Sequence, residues 1–179
     1  RSGDIIIKDR TGEGVINDED RTVIGNSIPR FTFGLNLGFE YKGFDFSCFF
    51  QGVGKADGYV TMEAIQPMGI NGARKEHYKE SFNPQDPKPG AYFPRILSSD
   101  YNYAYMSHWV QDASYIRLKN LQIGYSFKIK GLNQLRVYAS GENLFTATKY
   151  RTWDPETPVG ARGFYPNVAV YSMGVNLNF

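Results

Sequence analysis

The sequence has one cysteine, Cys48, and two histidines, His77 and His108, in 179 residues. A lone thiol excludes an intrachain disulfide framework and a cysteine-rich zinc site, and two imidazoles do not make a histidine metal centre. No run approaches the roughly 18 apolar residues that a membrane-crossing helix needs. Helical periodicity is weak everywhere, with a turn or two expected only within residues 73–82. Charge of one sign is lacking as well: 20 Lys and Arg against 18 Asp and Glu leave +2, so no electrostatic case exists for a nucleic-acid partner. Neither histidine is accompanied by a Gly-x-Ser-x-Gly elbow or a His-Glu-x-x-His motif. No catalytic residue is therefore assigned, and an enzyme is not expected.

Aromatic residues are abundant: 13 Phe, 13 Tyr and 2 Trp make up 16% of the chain, too much for a disordered segment. They follow a period of two. Phe31, Phe33, Leu35, Leu37, Phe39 and Tyr41 alternate with Thr32, Gly34, Asn36, Gly38 and Glu40. Since successive side chains of a strand point to opposite faces, one face is apolar and the other small and polar. Strands are expected near 30–41, 43–51, 114–127, 135–146 and 168–179. Phe49 is an exception to the pattern, and Cys48 on the apolar face reads as a small hydrophobe. In the third strand the phase slips, because Ile116 and Leu118 fall on even positions and Leu121 onward on odd ones. Either a β-bulge near Lys119–Asn120 reconciles the halves, or residues 114–119 lie beyond the buried band.

Short links at Tyr41-Lys42-Gly43 and 128–134 alternate with long ones at 8–29, 52–113 and 147–168. Amphipathic strands of about 10 residues, with short turns at one end and long loops at the other, are the layout of an outer-membrane barrel whose apolar face meets lipid. A soluble β-sandwich with carbohydrate-binding loops would show the same alternation with its apolar face turned inward. The Phe- and Tyr-rich apolar face, the Gly and Asn opposite it, and a strand running to Phe179 favour the barrel. Five strands fall short of the roughly eight that the smallest barrels need, so the rest of a larger barrel is expected as a partner. The chain opens at Arg1 without Met or a signal peptide, and further sequence upstream is expected.

Gly3-Asp4-Ile5, Lys8 to Ile16, Asp20 to Gly25, Pro29 to Leu35, Tyr41 to Asp45, Ser114 to Leu121 and Leu135 to Phe145, in that order, resemble SusC/RagA-type TonB-dependent transporters near their C-terminus. The resemblance implies an all-β, transmembrane antiparallel barrel of about 22 strands. This chain would supply its C-terminal five strands, while the plug domain lies elsewhere. It further implies a Bacteroidetes outer-membrane importer of glycans or oligopeptides, with a SusD-like surface lipoprotein as lid. TonB–ExbB–ExbD would act through the absent N-terminal part, and the long loops would be extracellular.

Three groups are candidate sites. Asp9, Thr11, Glu13, the Val15 carbonyl and Asp20 have partial EF-hand spacing, so Ca²⁺ is the one cofactor expected, against a plain solvated turn. Tyr101, Tyr103, Tyr105, Trp109 and Trp153 could stack on a solute or a lid, or serve as a small core for the long loop. Trp109 and Tyr105 could also belong to an outer aromatic girdle. Tyr171, Met173, Val175, Leu177 and Phe179 would form the strand that the outer-membrane assembly machinery recognises. Asn36, Glu40, Asp45, Arg117, Lys119, Arg136 and Glu142 would face the lumen, touching plug or solute or pairing across strands.

Overall fold

The computed structural model describes residues 2–60, 62–67, 72–87, 89–96, 100–151, 153–157 and 165–179. Its strands are β1 (Phe31–Tyr41), β2 (Phe44–Gly54), β3 (Asp57–Tyr59), β4 (Val110–Asp112), β5 (Tyr115–Phe127), β6 (Gln134–Thr148) and β7 (Val170–Asn178). Two short helices, α1 (Met62–Ile65) and α2 (Lys75–Glu80), lie between β3 and β4. Five strands form one antiparallel sheet in the order β1-β2-β5-β6-β7, and β3 pairs with β4 in a two-stranded ribbon. The chain divides into two compact units: a sheet unit of Asn26–Gly58, Asp112–Thr157 and Gly163–Phe179, and a loop unit of Arg1–Gly25, Tyr59–Gln111 and Pro158–Arg162.

Local chemistry sets the sheet's register. Lys42 (φ 49°) and Gly43 (φ 86°) both take the left-handed conformation, as a two-residue type I′ hairpin requires. That turn places Tyr41 opposite Phe44 and locks β1 to β2. Side chains then line up in rows across all five strands. Phe39, Phe46, Ile123, Ala139 and Met173 make one apolar row, and Leu37, Cys48, Leu121, Gly141 and Tyr171 the next. Gly38, Ser47, Gln122, Ser140 and Ser172 make a polar row between them. A one-residue slip of any strand would drive polar groups into the apolar face, which is why this register holds. Phe39 stacks on Phe46 with ring centroids 5.3 Å apart, an aromatic cross-strand pair. Phe49, out of phase in sequence, lies on the polar face with its ring against Gly34 of β1.

The phase slip in β5 is a bulge. Phe50 pairs with Leu118 and Phe49 with Asn120, so one step on β2 opposes two on β5, and Lys119 is the extra residue. Ile116 and Leu118 thereby join Leu121 and Ile123 on the apolar face. On the other side, Leu118 pairs with Phe145 and Asn120 with Glu142, so two steps on β5 oppose three on β6. Here Asn143 takes φ 52°, a left-handed conformation that Asn tolerates better than most residues.

The loop unit has a core of its own. Trp109, His77, Val60, Ala64, Ile65 and Asn102 are at most 1% exposed, with Tyr103 and Phe93 close behind. His77 is structural: its Nδ1 accepts from the Arg74 amide at 3.1 Å, so Nε2 carries the proton and donates to the Ala64 carbonyl at 2.9 Å. Asp4 binds Arg95 Nε at 2.6 Å and Nη2 at 2.9 Å, and also accepts from Asn102 Nδ2 at 3.0 Å. Asn102 in turn accepts from the Ile5 amide and, through its carbonyl, from Trp109 Nε1. The buried polar groups of His77, Asn102 and Trp109 are thus paired, as burial demands.

Candidate functional site

The polar face of the sheet carries two charged clusters. Near the short turns, Asp45 on β2 meets Arg136 on β6 through Nε at 2.9 Å and Nη2 at 2.5 Å, and Arg136 Nη2 also reaches Gln122 Oε1 at 3.1 Å. The pair spans β5, which lies between its two strands, and it passes directly over Gly124. A Cβ at Gly124 would sit 2.5 Å from Asp45 Oδ1 and 2.7 Å from the Arg136 guanidinium. Glycine is therefore the residue that lets this fork-on-carboxylate contact form. Arg136 also lies over the Tyr138 ring, 4.9 Å from its centroid.

Farther up β5, Arg117 is only 2% exposed. Its Nη2 binds Asp154 Oδ2 at 2.7 Å, its Nη1 binds Glu156 Oε2 at 2.9 Å, and its Nε donates to Thr146 Oγ1 at 2.7 Å. Lys119 Nζ adds a contact to Glu156 Oε2 at 2.8 Å, and the Tyr115 hydroxyl donates to Glu156 Oε1 at 2.9 Å. Asn167 Nδ2 donates to the same Glu156 carboxylate at 2.6 Å. Two cations and two carboxylates make this cluster neutral and closed, which offsets the cost of burying Arg117.

Among the other residues named from sequence, Asn36, Glu40 and Glu142 share the polar face with these clusters. The aromatic candidates separate by burial. Tyr105 is 87% and Tyr101 50% exposed, and Tyr105 stacks on Tyr59 with centroids 5.1 Å apart. Trp109 is fully buried among Tyr92, Phe93, Tyr103 and His108, and Tyr103 is 4% exposed. Burial places those two in the core of the loop unit, the second of the roles their sequence allowed. Trp153 is half-buried beside Asp154. On β7, Tyr171, Met173, Val175 and Leu177 stand on one exposed apolar face, followed by an exposed Phe179.

The acidic turn is built on backbone amides. Asp9 accepts from the amides of Gly12 at 2.6 Å and Gly14 at 2.7 Å and from Thr11 Oγ1 at 3.2 Å. Asp20 accepts from the amides of Arg10 at 2.6 Å, Asn17 at 3.0 Å and Thr11 at 3.2 Å. These donors hold both carboxyls below the usual carboxylate range, Gly12 contributing most for Asp9 and Arg10 for Asp20. Glu13 pairs with the Asn17 side-chain amide instead. Among the described residues, no three Asp, Glu, His or Cys side chains converge as a metal site would require.

No protein-family model matches the chain. It is 34% identical to TonB-dependent receptor P3 of Formosa agariphila, with 99% of the chain aligned to 19% of that protein. It is 27% identical to the TonB-dependent receptor SusC of Bacteroides thetaiotaomicron, with 96% aligned to 17% of its length. In three dimensions, 88% of the chain superposes on 18% of a chain of the RagAB peptide importer in its closed-closed state, at a TM-score of 0.68 and 24% identity. The chain thus spans under a fifth of the length of these relatives. It matches them along nearly all of its own length and has the fold of a part of their barrel. By sequence the chain is thus similar along nearly its whole length to TonB-dependent receptors, SusC among them, and by fold it is a five-stranded segment of a β-barrel like that of RagAB.

Proposed function

We propose that this chain is part of the pore wall of an outer-membrane importer that takes up glycans or oligopeptides. The observation that carries the reading is the pairing of end-to-end similarity to TonB-dependent receptors with a sheet whose rows are apolar on one face and polar on the other. The apolar face meets lipid and the polar face lines the lumen. A SusD-like surface lipoprotein works with the complete transporter, and TonB–ExbB–ExbD energises it through parts outside this chain. The peptide importer RagAB and the receptor SusC, as neighbours, support this class of cargo and partner. The exposed apolar face of β7 serves as the strand read during assembly. Catalysis has no place in this reading.

The test is uptake by cells carrying the complete transporter, with and without its gene, on defined oligopeptides and oligosaccharides. Loss of growth on one of these, reproduced by dissipating the inner-membrane proton gradient, is the expected result. Uptake indifferent to the gene or to the gradient would overturn the proposal. The soluble sandwich is not favoured: the apolar rows face outward with nothing from the described chain covering them.

A further inference from the structure

We infer that the Asp154–Thr157 turn is a strap latched onto the polar face of the sheet by Arg117. Three observations carry this. First, Arg117 reaches two carboxylates of the same turn, Asp154 and Glu156, while its third contact, Thr146, belongs to β6. The guanidinium therefore ties the turn to two adjacent strands at once. Second, Glu156 is held by four donors from two places in the chain: Tyr115, Arg117 and Lys119 on β5, and Asn167 ahead of β7. Third, the turn is pre-shaped to present both carboxylates together. Asp154 Oδ1 accepts from the Glu156 amide at 3.0 Å, and the Thr157 amide bonds the Asp154 carbonyl at 2.9 Å.

The two cations of β5 stand two positions apart and converge on one carboxylate. Lys119 is the residue that the bulge adds, and its ammonium reaches the same Glu156 oxygen as Arg117. The bulge shifts the phase so that Asn120 as well as Arg117 pairs on the polar face, opposite Phe49 and Gln51 of β2, with Lys119 the extra residue between them.

The strap has two consequences. While it is latched, the surface above Asn120 is formed by Asp154–Thr157 rather than by β5 and β6. When it is released, Arg117 and Lys119 are left as two neighbouring bare cations, a site for a carboxylate-bearing solute. The latch rests only on contacts within the sheet unit. That its face is the pore side rests on the barrel reading proposed above.

The experiment uses the complete transporter in detergent or nanodiscs. Hydrogen exchange of the peptide spanning residues 150–157 is compared in wild type, Arg117→Met, Glu156→Gln and the charge swap Arg117→Glu with Glu156→Arg. Slow exchange in wild type, at least tenfold faster exchange in Arg117→Met with β5 and β6 amides still protected, an intermediate rate in Glu156→Gln, and partial recovery in the swap are expected. An unprotected turn in wild type, or unchanged exchange in both single variants, overturns the latch. A second arm separates the face from the latch: a water-soluble maleimide should label Gln122→Cys and spare Ile123→Cys. Reversed labelling overturns the pore-side placement whatever the exchange data show.

Discussion

Gly124 shows how one residue governs a contact it does not make. Asp45 and Arg136 belong to strands that are not neighbours, and their pair closes only because the strand between them has no side chain at that position. Gly124→Ala should push the carboxylate and guanidinium apart, costing about 1 kcal/mol, at the upper end for a partly exposed pair. Asp45→Asn should cost a similar amount, and the double variant little more than either alone. Thermal unfolding of the complete transporter, read by heat-modifiable gel mobility, supplies the cycle; additive losses would mean that Gly124 acts through something other than the pair. None of this was legible in sequence. Asp45, Gly124 and Arg136 each read as ordinary members of a polar face, and only the strand order brings them together. The same holds for Arg117, whose partners lie 37 and 39 residues away in an irregular connection. Tyr103 and Tyr105 make the point again: two positions apart, one is buried and the other bare, in a segment with no period to read.

At the scale of the element, period-two alternation exposes the two faces because a pleated strand has no other way to arrange its side chains. It also explains what such a reading misses. The extra residue in β5 is one, so it inverts the phase and shows in the sequence as a slip between Leu118 and Leu121. Relative to β2, β6 has two extra residues near Asn143, so its phase is restored and Phe145 and Gly141 both fall on odd positions. An even insertion is silent to alternation, whereas an odd one is audible. The faces themselves can be tested on β1. Leu37→Arg should cost about 2–4 kcal/mol if that position lies near the bilayer midplane, and Asn36→Arg on the opposite face far less, in refolding titrations into lipid vesicles. The turn around Asp9 and Asp20 makes a different prediction. Its carboxyls sit below the ordinary 3.8 in the folded state, so their contribution is fully present above that value and is lost as pH falls through the lowered folded values. Amide protection at Gly12 and Gly14 should therefore be unchanged from pH 7 to 5 and collapse only in stronger acid. Asp9→Asn should remove it at neutral pH.

For the whole molecule, the decisive feature is that the sheet is open. Among the described residues β1 and β7 each pair on one side only, and the apolar rows of the sheet have nothing over them. Unpaired edges and exposed phenylalanines favour association over a monomer in water. The chain made alone should aggregate or demand detergent, checked by sedimentation with and without it; a monodisperse monomer with a cooperative melt in plain buffer would contradict the barrel reading. The bulges bear on that barrel in one more way. Stagger between strands sets their tilt, and tilt sets the radius of a closed wall. Counting from β2 to β6, the strands gain first one residue and then a second between the turn end and the loop end. The residue register between β2 and β6 therefore differs by two at the two ends, and each extra residue is taken up as a local bend rather than as added length. This stretch of wall thus bends and twists most sharply at the level of Lys119 and Asn143, between its turn end and its loop end.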